Sequence, residues 1–272
     1  MYGRRSSGGG RFSGGRLLIA AAIAIFSLIS YFSMNSTNPV TGENQHINIT
    51  PEQEIALGVE AAPQMAQQFG GLDPDENKQA VVEQIGNRIV QQSPARSTPY
   101  QYHFYVLDDD QTINAFALPG GQIFITDALL SRLETEGQLA GVLGHEIGHV
   151  VARHSAEQIA QQQLTQGLTG AAVIAAYDPN DPSSAQTAQM AMLVGQLINL
   201  KYGRDDELES DSLGVCFIND AGYDPREMLD VMRILQEASQ GGQPPEFFST
   251  HPNSATRMNE IQQAIQNIAN CP

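Results

Sequence analysis

The sequence predicts an α+β domain, predominantly helical with a small sheet, behind one N-terminal apolar helix. Three observations predict it. Residues 17–34 form an uncharged apolar run; capped helical patterns recur along the rest of the chain; and from Tyr100 the apolar residues switch to period two, ahead of a Leu118-Pro119-Gly120-Gly121 turn. A length of 272 residues is ample for one sizeable core, and no internal repeat or second-domain linker interrupts it.

The N-terminal helix comes first in order. Arg4, Arg5, Arg11 and Arg16 precede it, whereas the first acidic residue is Glu43. The chain has 14 Lys plus Arg against 30 Asp plus Glu, a net charge of −16, so it reads as a small basic head on a strongly acidic body. An acidic body repels phosphate backbones, which argues against nucleic acid as a partner. Eighteen uncharged residues sit at the lower limit for a helix that crosses a bilayer. A cleavable signal needs a small-x-small site; none occurs at 27–38, and the Ala-x-Ala triplets at 20–24 fall too early, which favours an uncleaved anchor over a secreted body. In both cases the basic flank lies before the run and the next basic residue is Lys78, placing the body outside the cytoplasm. The expected division is a head at 1–16, a membrane or signal segment at 17–34, a polar linker at 35–48 and a body at 49–272.

Within the body, Thr50-Pro51-Glu52-Gln53 carries a capping box with proline at the first helical position, opening a helix to about Phe69. Asp73-Pro74-Asp75-Glu76 repeats the signal, and Val81, Val82, Ile85 and Ile89 supply its apolar stripe. Tyr102, Phe104 and Val106 form one strand face, with His103 on the other; residues 113–117 and 122–126 make a hairpin. Asp127 is placed to cap a short helix through Leu133, and Thr135 with Gln138 to open a long one to about Gln163. Residues 167–176 read as a buried helix segment, 178–188 as a polar loop or lid, and Gly241-Gly242-Gln243-Pro244-Pro245 as a mobile stretch. Later helices begin near Asp206, at Asp224-Pro225 and at Ser254. Cys216 and Cys271 suit an oxidising compartment, where a pair can staple the C-terminal tail to an internal helix; a buried thiol plus a stray terminal one is the other reading.

The long helix contains His145-Glu146-Ile147-Gly148-His149. Imidazoles four apart share a helix face and reach one metal ion, while Glu146 faces the water to be activated. His154 falls one residue short of the place an extended HExxHxxGxxH motif requires, so it reads as a structural or surface residue. The third ligand is then sought in Glu207-Leu208-Glu209-Ser210-Asp211, where Glu207 and Asp211 share a face, one to bind metal and the other to orient a histidine. His46 and His103 belong to no pattern.

The segments 114–130, 145–155, 207–214 and 250–257 together resemble, in order and spacing, a family of zinc metallopeptidases that includes the HtpX-like and BepA-like bacterial proteases, the mitochondrial Oma protease and the CAAX prenyl protease. The resemblance implies a zincin-like domain with one zinc ion held by His145, His149 and Glu207, and Glu146 as general base. It implies Asp211 behind the ligands, His251 as either a cap on the resting zinc or an oxyanion donor, and Arg257 as its basic companion. The strand with Asn114, Ala115 and Phe116 would line the cleft and bind extended substrate backbone along its edge. The expected activity is metalloendopeptidase cleavage of unfolded or damaged envelope and membrane-associated proteins. The catalytic domain would be periplasmic, single-pass anchored or released by signal cleavage, without the helical-repeat extension or multiple spans of some members. A zinc-stabilised holdase or adaptor is the alternative.

Overall fold

A computed structural model describes residues 14–176, 202–239, 244–252 and 256–271. Most of the basic head, the 178–188 loop, Gly241 to Gln243 and the helix start at Ser254 lie outside them. The chain forms two compact units, one drawn from residues 1–35 and 159–200, the other from 36–158 and 201–272.

In the first unit, helix α1 (Gly14–Ser33) is long and apolar enough to cross a membrane, with a mean hydropathy of 1.9 over Gly15–Ser33. Leu18, Phe26, Ile29 and Phe32 are exposed along it, a surface suited to lipid. It is paired with the later part of α6 (His154–Ala176): Gly167 lies so near Ser27 that a Cβ there would sit 2.1 Å from the hydroxyl, and Tyr31 donates to Gln161 at 3.0 Å. Residues 167–175 are mostly half-buried rather than buried as expected, with only Ala171 enclosed among them.

In the second unit, α2 (Pro51–Gln68) starts on the expected Thr50–Gln53 capping box, and α3 (Glu76–Gln92) follows. Val82, Ile85 and Ile89 of α3 are buried, but Val81 is exposed because it lies about 100° round the helix from Val82. The sheet has the order β3-β5-β4, with β3 (His103–Leu107) parallel to β5 (Gln122–Thr126) and β4 (Ala115–Leu118) antiparallel to it. Alternation sorts the faces: Ile123 and Ile125 enter the main core with Phe104 and Val106, while Phe124 and Phe116 form a second cluster with Ala66. Helix α4 (Asp127–Leu130) is shorter than expected and is capped by Thr126, whose hydroxyl accepts from the Leu129 amide, rather than by Asp127.

Helix α5 (Glu136–Val151), capped by Thr135, is buried on every side from Gln138 onward, as a central helix must be. It ends at Val151 instead of continuing to Gln163. Arg153 adopts the left-handed conformation at φ 60°, and its guanidinium pairs with the buried Glu54, Nε lying 2.8 Å from Oε1. Glu54 also accepts from the Tyr100 hydroxyl at 3.2 Å. These contacts hold a sharp turn before α6 starts at His154. The segment expected as a linker contributes too. β1 (Ser36–Thr37) pairs with β2 (Asn44–Gln45), and the buried Asn38 and Gln45 donate to the Val151 and Ala152 carbonyls, which have no helical partner at the end of α5.

Helices α7 (Arg204–Asp220), α8 (Glu227–Ser239), α9 (Phe247–Thr250) and α10 (Arg257–Gln266) complete the unit. Small residues bring α5 and α7 together: a Cβ on Gly148 would lie 2.7 Å from the Ser210 hydroxyl, and one on Gly144 2.6 Å from Ile218. The Ser210 hydroxyl donates to the His145 carbonyl at 2.5 Å. A disulfide joins Cys216 of α7 to Cys271 in the tail, with 5.6 Å between their Cα atoms.

Candidate metal centre

The close α5–α7 crossing places the histidines of one helix against the carboxylates of the other. His145 and His149 project from α5 with their Nε2 atoms 3.1 Å apart. Glu207, one turn into α7, brings its carboxylate oxygens to 3.6 Å and 3.4 Å from those two nitrogens. His251, just past α9, places Nδ1 3.3 Å from His145 Nε2 and 3.0 Å from Glu207 Oε1. All four side chains are buried, and their facing atoms lie within 4.8 Å of one another. Four ligand atoms set tetrahedrally about 2.0–2.1 Å from a zinc ion would be separated by about 3.3–3.4 Å. The observed spacings bracket that value, so the donor set fits a four-coordinate metal ion.

The surroundings fit as well. His145 Nδ1 is 2.9 Å from Asp211 Oδ1, which leaves its Nε2 lone pair directed at the cluster. Asp211 is gripped by Arg257 through two bonds of 2.7 Å, and the third guanidinium nitrogen reaches Glu207 Oε2 at 2.7 Å. Burial alone would raise both carboxyls, but Arg257 outweighs it at Asp211, and His251 with bonds from His149 and His251 outweighs it at Glu207, so both are held below their ordinary values. Burial drives His149 well below its usual value and keeps it neutral, as a metal ligand must be. The same burial raises Glu146, against the pull of His251 and His145. Neither carboxylate oxygen of Glu146 has a hydrogen-bond partner among the described residues, and Oε1 lies 3.6 Å from the equally unpartnered His251 Nε2.

Strand β4, with Asn114 just before it, is tied to the His251 segment. Asn114, Ala115 and Phe116 are all buried, and Asn114 Oδ1 has no partner among the described residues. β4 is one of the two edge strands of the sheet, and the Phe247 amide donates to the Ile113 carbonyl at 3.1 Å, tying the His251 segment to the start of the strand. His103 is exposed and takes no part. Of the two readings of His154, structural or surface, the structural one holds: it is fully buried, its Nδ1 2.8 Å from Nδ1 of His149, because the Arg153 turn folds it back. Sequence reasoning missed Tyr202, whose ring stacks on His149 at 4.2 Å, and Phe247, which stacks on His251 at 4.5 Å. It also missed Ser210 and the Glu54–Arg153 pair. The readable signal was the Gly144/Gly148 and Ser210/Gly214 spacing, which marks two helices that touch.

A mostly helical domain with a small sheet, an HExxH helix and a carboxylate from a later helix is the arrangement of a zincin-like metallopeptidase domain. The chain belongs to peptidase family M48, which it matches over residues 76–265. It is 32% identical over 230 residues to the beta-barrel assembly-enhancing protease of Yersinia pestis, covering 82% of this chain and 46% of that protein. The protein of the same name from Escherichia coli K12 is 30% identical over 255 residues, 88% and 50% of the two chains. Mitochondrial metalloendopeptidase OMA1 of Schizosaccharomyces pombe is 27% identical over 238 residues, 86% and 68%. The chain spans about half the length of the two bacterial relatives.

Proposed function

We propose that this chain is a zinc-dependent metalloendopeptidase that cleaves unfolded or damaged polypeptides at the outer face of a membrane. The observation that carries the reading is Glu146: a buried carboxylate with no hydrogen-bond partner among the described residues, on the helix that presents both histidines of the four-residue donor set. His145, His149 and Glu207 would hold the zinc, which when bound acidifies water and polarises a carbonyl. Glu146, lifted above its ordinary value by burial, accepts the proton of the attacking water and delivers it to the leaving amine. Asp211 and Arg257 fix the orientation of His145. The outer edge of β4 holds an extended backbone by main-chain bonds, which favours unfolded chains over one defined sequence. A single α1 anchor with the body on the extracytoplasmic side, the periplasm in a bacterial envelope, is the topology that the arginine-rich head supports, and residues 1–16, 17–34 and 35–48 are its head, span and connecting segment.

The test is Glu146→Gln in the full chain. It should retain one zinc per chain and lose at least about 100-fold in casein cleavage, the lower bound for a general base. Undiminished cleavage by the metal-replete variant refutes the assignment.

His251 supports a second reading. Its Nδ1 completes the donor set, and a site closed by four protein ligands is what structural zinc sites present. Either the resting enzyme is latent, with His251 on the position the substrate takes, or the chain is a zinc-stabilised holdase. His251→Ala separates them: cleavage that rises identifies a latent peptidase, whereas client binding with no cleavage by either form identifies the holdase.

A further inference from the structure

We propose that His154 and Glu209 form a hydrogen-bonded relay that orients His149 toward the metal, making His154 a positioning residue. His149 Nδ1 and His154 Nδ1 are 2.8 Å apart, and His154 Nε2 lies 3.1 Å from Glu209 Oε2. His154 is completely buried, while Glu209 keeps a side-chain exposure of 20% at the far end of the chain of contacts.

The proton positions follow from the geometry. Two facing ring nitrogens at 2.8 Å require one proton between them. Were it on His154, the Nε2 of neutral His149 would carry a proton aimed at His145 Nε2, 3.1 Å away, and could not bind a cation. With the proton on His149 Nδ1, its Nε2 lone pair faces the donor set and His154 Nδ1 accepts. His154 must then carry its own proton on Nε2, where Glu209 receives it. Each link fixes the next, and only one direction is compatible with a metal.

The two histidine ligands are therefore braced differently. His145 Nδ1 lies 2.9 Å from the carboxylate of Asp211, itself clamped by Arg257, whereas His149 faces a second histidine backed by a glutamate. The Tyr202 ring stacked on His149 restrains the ring plane, and its hydroxyl is 3.2 Å from Ser155, next to His154. The left-handed Arg153, paired with Glu54, makes the turn that brings His154 five residues back onto His149. The relay explains why His154 is buried one position short of the extended ligand motif: it contacts His149 instead of the ion.

The inference rests on the metal reading proposed above, and the two fail separately. Zinc affinity would be measured by chelator competition on the full chain, alongside the visible spectrum of the cobalt-substituted protein and the melting temperature of the chelated protein. His154→Phe, which keeps the volume but accepts no proton, should weaken zinc binding about 10–100-fold and alter the cobalt spectrum. His154→Asn, whose Oδ1 takes the place of Nδ1, should recover most of that loss. Should the Phe variant not fold, Glu209→Ala tests the outer link on a partly exposed side chain, with an expected loosening of about 10-fold, the low end of the same range. Imidazole nitrogen NMR of the zinc-loaded wild type should show His154 protonated on Nε2. Wild-type zinc affinity in the Phe variant, or in Glu209→Ala where the Phe variant does not fold, or a His154 proton on Nδ1, overturns the relay. Wild-type protein that takes up no zinc overturns both readings.

Discussion

Replacing Arg257 with methionine tests how far one buried cation organises the site. Arg257 is 2% exposed and is the shared partner of Asp211 and Glu207, which lie one turn apart on α7. Without it, two buried carboxylates face each other in a metal-free protein with only histidines to offset them. Breaking a buried pair by removing one member costs about 3–5 kcal/mol. At about 2–4 °C per kcal/mol for a body of this size, the melting temperature of the chelated protein should fall by about 6–20 °C. Zinc should recover part of the loss, since Glu207 then has a cation again. The pH dependence has a definite sign. The folded value of Asp211 is depressed, so the stability Arg257 confers is fully present above the unfolded carboxylate value of about 3.9 and is lost as pH falls through the folded one. Thermal unfolding followed by circular dichroism, with chelator and with zinc, at pH 7 and below pH 4, should show a wide gap between wild type and variant at pH 7 that narrows with acid. A chelated variant within about 1 kcal/mol of wild type at pH 7 would show that Arg257 is not the counter-charge of this site.

Two more predictions concern the frame around the metal. Gly148→Ala puts a methyl group 2.7 Å from the Ser210 hydroxyl and 2.9 Å from its carbonyl oxygen, so α5 and α7 must separate. We expect a loss of about 1–3 kcal/mol in denaturant unfolding together with weaker zinc binding; unchanged zinc affinity would show that the crossing distance does not set the ligand geometry. Replacing Cys216 and Cys271 with alanine opens a loop of 55 residues, for which chain entropy alone gives about 4 kcal/mol, with about 2–4 kcal/mol typical. Equal stability of the oxidised wild type and the double variant would remove the staple from the account.

What was legible in the sequence was local chemistry. HExxH gives its own geometry, because four residues is one helical turn, and Glu207 and Asp211 obey the same rule. Capping boxes and the Pro-Gly-Gly turn announce themselves through backbone groups within four residues. What failed depended on contacts distant in sequence. Nothing near Arg153 announces a left-handed turn; the turn exists because Glu54, 99 residues earlier, meets it in the core. The sequence leaves His154 open between structural and surface for the same reason, since a continuous helix would carry it away from His149. Asn38 and Gln45 look like linker residues until the end of α5 needs their amides. The resemblance to known peptidases brought in His251 and Arg257, which single-sequence spacing could not.

The small β1–β2 hairpin has a bearing on where the chain tolerates a cut. Severance within 34–35 would break the covalent link between α1 and the hairpin and leave the hairpin in place. A cut at 49, where the next helix is about to start, would strip Asn38 and Gln45 from the Val151 and Ala152 carbonyls at the end of α5. A released form that begins at Ser36 should therefore keep an intact centre, and one trimmed to Ile49 should fray toward His149 first.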